Sequence, residues 1–230
     1  MILGLFQTSA VVPCTTVAGD SSDTVFTIER FVKRLLCFTG LDTPAPPSIT
    51  VTTPEGTQET MALSPQTPQV GTWEFLILPL PGQGAEANLG EYTFQVTTAI
   101  SGSDGTSPSA GVMVTSGRFT VIPAARPSAE VGTASMADFR EVFLPVSSQL
   151  HIWFSGYPGS STVYVSLYGP GAAQGYPLLA DLPALSLDQS GEGGLIWAIP
   201  SGAVMGRYAI WIDPPPAGGT NLCMAFDIRP

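Results

Sequence analysis

The chain has 230 residues, a net charge of −10 and only 8 Lys+Arg, so it lacks the basic footprint that phosphate-backbone binding needs, and nucleic acid is excluded as an expected partner. Charged residues make up 11% of it, while Gly (25) and Pro (22) are abundant. Ser, Thr, Gln, Gly, Pro and some apolar side chains must therefore form much of the surface.

Residues 1–24 read as an apolar arm and a polar turn. Ile2-Leu3-Gly4-Leu5-Phe6 is too short to span a bilayer, and no stretch elsewhere is long enough to do so. Leu3, Leu5 and Phe6 suit an arm that adds a strand to a neighbouring copy; folding back onto its own domain is the competing expectation. Of the three cysteines, Cys14 and Cys37 would pair in an extracellular protein; three unlinked small core residues is the other reading. The next segment, Ile28 to Leu36, has helical spacing, but an internal repeat overrides it.

That repeat is the strongest signal in the chain. Leu36-Cys37-Phe38-Thr39-Gly40 followed by Ser48 to Gly56 returns as Ile152-Trp153-Phe154-Ser155-Gly156 followed by Val163 to Gly171. Phe38, Gly40 and Pro54 recur at a constant offset of 116 residues. At that offset Ile28–Leu36 falls on a segment interrupted by Pro145 and two serines, so strands are expected in both places. Residues 57–71 read as a Pro/Gln/Thr-rich loop. Trp73 to Leu78 reads as a strand buried on both faces, and Gly90 to Val96 as one with Tyr92, Phe94 and Val96 facing the core. Gly102 to Gly111 reads as a Ser/Gly tip. Residues 25–122 form the first expected domain, 123–136 a linker and 137–230 the second domain, with Trp197 expected where Trp73 stands. Gly206-Arg-Tyr208 matches Gly90-Glu-Tyr92, and Phe226-Asp-Ile228 matches Phe119-Thr-Val121.

The expected class is all-β: two tandem antiparallel β-sandwiches. These landmarks resemble immunoglobulin-like and fibronectin-type-III-like modules, common in tandem on bacterial secreted and cell-surface proteins. Gly-x-Tyr and the Pro/Gly turn also resemble domains appended to secreted peptidases. The Cys…Trp…Cys spacing of true immunoglobulin domains is absent. The resemblance implies an extracellular or cell-surface setting.

Catalytic chemistry is scarcely represented. The single histidine, His151, has no Gly-x-Ser-x-Gly elbow to serve and reads as a sheet-face residue; no catalytic residue is expected. Arg30, Lys33 and Arg34 read as a solvated basic edge. No cofactor or metal is expected. The paired acids Asp20/Asp23 and Asp188/Glu192 lie in Gly/Ser turns of the sort that sometimes bind calcium, but neither has EF-hand spacing. Period-two alternation sends Trp153, Tyr164, Tyr168 and Trp211 to outer sheet faces, with Leu35 and Cys37 on that side in the first copy. Such a face is expected to be covered by the other domain or a loop, by a neighbouring copy, or by sugar rings. The sequence therefore predicts a non-enzymatic, self-associating structural subunit of a cell-surface or filamentous assembly. The alternative is a carbohydrate-binding or other accessory recognition module.

Overall fold

The computed structural model describes residues 2–3, 14–18, 24–39, 46–65, 72–79, 88–101, 108–132, 143–170, 177–217 and 222–229. Their regular elements are all strands, divided between two compact units that part at Ile122/Pro123.

The first unit holds β1 (Ile2–Leu3), β2 (Cys14–Ala18), β3 (Thr24–Glu29), β4 (Arg34–Thr39), β5 (Ser48–Thr52), β6 (Gln58–Ala62), β7 (Ser64–Pro65), β8 (Thr72–Leu78), β9 (Gly90–Ser101) and β10 (Pro108–Ile122). One sheet runs β1-β8-β4-β2, with β7 also on β8, and the other runs β3-β10-β9-β5-β6. The second unit holds β11 (Ser128–Gly132), β12 (Phe143–Pro145), β13 (Gln149–Ser155), β14 (Thr162–Tyr168), β15 (Leu178–Asp181), β16 (Leu185–Ser186), β17 (Gly193–Ala198), β18 (Gly206–Asp213) and β19 (Leu222–Arg229). Its sheets run β11-β13-β17 and β12-β19-β18-β14-β15, with β16 also on β14.

Strand for strand the larger sheets agree, including the parallel pairing of β3 with β10 and of β12 with β19. In each unit the second and fifth core strands pair in one sheet, and the third, sixth and seventh in the other, which is the immunoglobulin-like arrangement. The fold is therefore all-β, with two sandwiches that share one core-strand topology. They differ at an edge: β2 runs parallel to β4, whereas β11 runs antiparallel to β13.

The landmarks recur because they do the same physical work twice. Tyr92 stacks on Phe119 at 5.0 Å and Tyr208 on Phe226 at 5.2 Å. The Tyr92 hydroxyl donates to the Asn88 carbonyl at 2.8 Å, and the Tyr208 hydroxyl to the Val204 carbonyl at 2.6 Å. Each is a tyrosine corner, locking the start of the sixth core strand to the loop before it. Two residues after each tyrosine, where immunoglobulin domains have their second cysteine, stand Phe94 and Ile210. Phe94 meets Phe38 edge-on at 6.1 Å, and Ile210 shares a core with Phe154, so apolar contacts occupy the place of the inter-sheet disulfide. Gly90 and Gly206 adopt φ of 132° and 141°, and a Cβ on them would meet Pro54 at 3.2 Å and Pro170 at 2.9 Å. This contact explains why that proline and that glycine recur together.

The helix-like segment is two strands and a turn. Phe31 takes φ 66° and the Val32 N–H donates to the Glu29 carbonyl at 3.2 Å. Ser147 takes the same φ of 66° and the Ser148 N–H donates to the Pro145 carbonyl at 3.3 Å, again at the repeat offset. Arg30 in that turn is buried and Arg34 lies 5.4 Å over the Phe26 ring, so this basic group is not a solvated edge.

Several expectations are corrected. The loop expected at 57–71 contains β6 and β7, and Pro108–Gly111 of the expected tip belongs to β10. The linker expected to reach residue 136 carries β11, a strand of the second unit's own sheet. Trp197 does not occupy the place of Trp73: Trp73 lies opposite Phe38, whereas Gly193 lies opposite Phe154. Trp197, opposite Leu150, holds the register of Ile77, four residues further along. The two tryptophans share a strand but not a position.

Candidate functional site

The side chains of β14 alternate strictly: Val163, Val165 and Leu167 are buried in the second core, and Tyr164, Ser166 and Tyr168 take the opposite face. On β18, Tyr208, Ile210 and Ile212 are inward, while Trp211 and Asp213 are outward. Antiparallel register sets Tyr164 opposite Asp213, Ser166 opposite Trp211 and Tyr168 opposite Ala209. The rings of Tyr164, Tyr168 and Trp211 thus fall on one face. Tyr164 is 56% exposed and Trp211 40%, with Tyr168 between these extremes and full burial.

Two features frame this face. A register shift between Ile210 and Trp211 leaves an extra residue on β19, the sort of bulge that turns a side chain relative to its sheet. At the edge, β15 places Asp181 opposite Ser166, whose hydroxyl donates to Asp181 Oδ1 at 2.5 Å. The same edge strand leaves Leu178 and Leu179 exposed.

Trp153 does not join the group. Period two does turn it away from Ile152 and Phe154, but it is 7% exposed, so its ring offers no surface platform. Its ring neighbour is His151 at 5.6 Å. His151 Nε2 is buried without a hydrogen-bond partner, and burial pulls the imidazole pKa below its ordinary value.

The arm residues lie elsewhere. Leu3 sits in β1 opposite Ile77 of the same chain, so this part of the arm completes the first unit's own sheet; Leu5 and Phe6 lie outside the described residues. Cys37 is disulfide-bonded, and β2, which carries Cys14, runs beside its strand with Thr16 opposite Cys37. Leu35 is half-buried on that strand and Cys37 fully buried.

The two acids of the Asp188/Glu192 pair have separate partners. Asp188 Oδ1 accepts the N–H groups of Ser190 and Glu192 at 2.8 and 2.9 Å, closing its own turn. The Glu192 side chain is buried and accepts the Ser155 hydroxyl at 2.7 Å, and that oxygen in turn accepts the Ala124 N–H at 3.0 Å. Asp20 and Asp23 lie outside the described residues. Among the described residues no three His, Cys, Asp or Glu side chains are placed to hold a metal, and no helix is long and apolar enough to cross a membrane. Sequence reasoning missed Ser155 and Glu192 as a pair because only the fold brings them together. It also missed Leu178 and Leu179, which no alternation marked.

No protein-family model matches the chain, and no curated protein matches it by sequence. Among solved structures it is similar to a mutant Salmonella alpha-2-macroglobulin, at 14% identity and a TM-score of 0.29 over 89% of this chain. It spans 14% of that protein. A chimeric titin tandem is similar at 14% identity and a TM-score of 0.24, over 90% of this chain and 94% of its own. A DUF4785 family protein from Legionella pneumophila gives 11% and 0.28, over 90% of this chain and 53% of its own. Likenesses this slight carry no functional argument, and the fold assignment rests on strand order, register and the paired tyrosine corners.

Proposed function

We propose that this chain is a non-enzymatic structural protein that associates with copies of itself, as a subunit or adhesive module of an extracellular or cell-surface assembly. One observation carries the reading. The outer face of β14 and β18 leaves Tyr164 and Trp211 exposed beside Tyr168, and the adjoining edge strand adds exposed Leu178 and Leu179. Monomeric soluble proteins seldom leave a contiguous apolar group of this kind uncovered. Aromatic side chains suit protein contacts because they cover much area while losing little conformational freedom. With 11% charged residues, the chain has few of the charges that keep faces and edges apart. The tandem plan also fits the modules of bacterial secreted and surface proteins that the sequence resembles.

Carbohydrate binding is the second reading, favoured by the Ser166–Asp181 hydrogen bond and Asp213 beside the same rings. Sugar recognition uses such a mixture of aromatic platforms and fixed polar groups. The two readings separate in solution. Self-association predicts a mass, by light scattering, that rises with concentration above the 24.0 kDa of one chain. The carbohydrate reading predicts a monomer whose tryptophan fluorescence shifts on adding polysaccharide, and a Trp211→Ala variant without that shift.

A further inference from the structure

We propose that the outer edge of β17 pairs antiparallel with β17 of a second copy, joining two β11-β13-β17 sheets into one continuous sheet. This rests on the self-association reading and names a strand that would make one of its contacts.

The two units themselves supply the comparison. β8 lies beside β4, and β17 beside β13, at the same place in the fold. In the first unit the far side of β8 is covered twice: by β7 at Trp73 and Glu74, and by β1 at Ile77 and Leu78. In the second unit the short strand at the corresponding place in the chain, β16, pairs with β14 instead. Among the described residues no strand is then hydrogen-bonded to the far side of β17, although the Leu185 and Leu187 side chains lie against Gly193 at its start. An edge of this kind is a row of unmatched N–H and C=O groups, normally guarded by lysine, proline or a covering loop. β17 reads Gly193-Gly-Leu-Ile-Trp-Ala198, with neither a charge nor a proline. Leu195 and Trp197 pack against the core, while Ile196 is 43% exposed.

The occupant follows from the same comparison. The first unit closes this edge with an apolar, uncharged strand, Ile2–Leu3, running antiparallel. In a second copy that strand is already paired with β8, whereas β17 beyond its first residues is apolar, uncharged and, among the described residues, without a hydrogen-bonded outer neighbour. Identical strands meeting antiparallel obey a two-fold axis, so each copy gives and receives the same hydrogen bonds and no like charges face one another. A two-fold edge contact closes on itself as a dimer. Combined with a separate contact through the Tyr164–Trp211 face, it generates a chain of subunits that does not close.

Sedimentation velocity on the full chain tests this. The unmodified protein should form species larger than a dimer. A Tyr164→Ser/Trp211→Ser variant should stop at the dimer, and adding Ile196→Lys should halve its mass to the monomer, because the two-fold axis brings the new ammonium groups together. Ile196→Thr, which leaves the backbone edge intact, should keep the dimer. If the unmodified chain assembles and Ile196→Lys leaves its mass distribution unchanged, the edge contact is overturned while self-association stands. If the unmodified chain stays a monomer at every concentration, the reading beneath it falls as well. Should the lysine variant lose its near-ultraviolet circular dichroism, hydrogen exchange of residues 193–198 in the unmodified chain decides instead. Protection that rises with concentration supports the pairing, and fast exchange throughout overturns it.

Discussion

Tyr208 and Gly206 act as one device. The tyrosine hydroxyl ties β18 to the Val204 carbonyl, while the glycine at φ 141° lets Pro170 close over the strand's first residue. Tyr208→Phe keeps the ring on Phe226 and removes only the hydrogen bond, so denaturant unfolding should show a loss of about 0.5–1.5 kcal/mol. Gly206→Ala adds a Cβ in a backbone region that L-residues avoid and 2.9 Å from Pro170, so it should cost more, on the order of 1–3 kcal/mol. His151 gives the pH dependence its sign. Burial lowers its pKa, so between its ordinary value near 6.5 and the lower folded value the unfolded chain holds more protons than the native one. Stability is then full above pH 6.5 and falls as the pH drops through the folded pKa. Melting temperatures recorded from about pH 7.5 to 5.5 should decline for the unmodified chain, and His151→Gln should remove that part of the decline.

At the scale of elements, the turn from Asp188 to Glu192 fastens the start of the second unit. Ser155 stands between Glu192 and the Ala124 N–H, and it has a buried carboxylate on one side and a backbone donor on the other. Ser155→Ala leaves both without this partner and should destabilise the second unit by roughly 1–3 kcal/mol in denaturant unfolding. A loss within error would show that the other contacts of these groups suffice. Elements were legible in the sequence wherever both units build a core strand from the same parts. Phe38, Pro54, Gly90 and Tyr92 have partners in the first core whose geometry allows few substitutes, and their counterparts return in order. The edges were not legible, for physical reasons. β6 is Gln58-Glu-Thr-Met-Ala62, largely exposed, so burial imposes no alternation on it. β11 lay hidden in an expected linker because Ser128-Ala-Glu-Val-Gly132 fills a sheet edge with small and polar residues. The tryptophans misled because residue type was matched where register was needed. Similarly, alternation showed which way Trp153 points but could not show that the ring is buried there.

In the whole molecule, two sandwiches with one core-strand topology differ in how their surfaces are finished. The outer face of the first unit's larger sheet is built mainly from hydroxyls, amides and charged groups, with the aliphatic Val25 and Ile122 exposed on β3 and β10. Ser48 and Thr97 are hydrogen-bonded at 2.7 Å and Thr50 and Thr60 at 2.8 Å, with Gln95 beside them and the Arg118–Glu91 pair at 3.7 Å. The same face of the second unit carries Tyr164, Tyr168 and Trp211. Shared core topology therefore came with divided chemistry, and the proposed self-association would belong to the second unit. Sedimentation velocity of the unmodified full chain over a wide concentration range, run beside Tyr164→Ser/Trp211→Ser, tests that assignment most directly. Self-association through this face predicts species beyond a dimer that grow with concentration for the unmodified chain, and their loss in the double variant. A single 24.0 kDa species for both proteins at every concentration would contradict it.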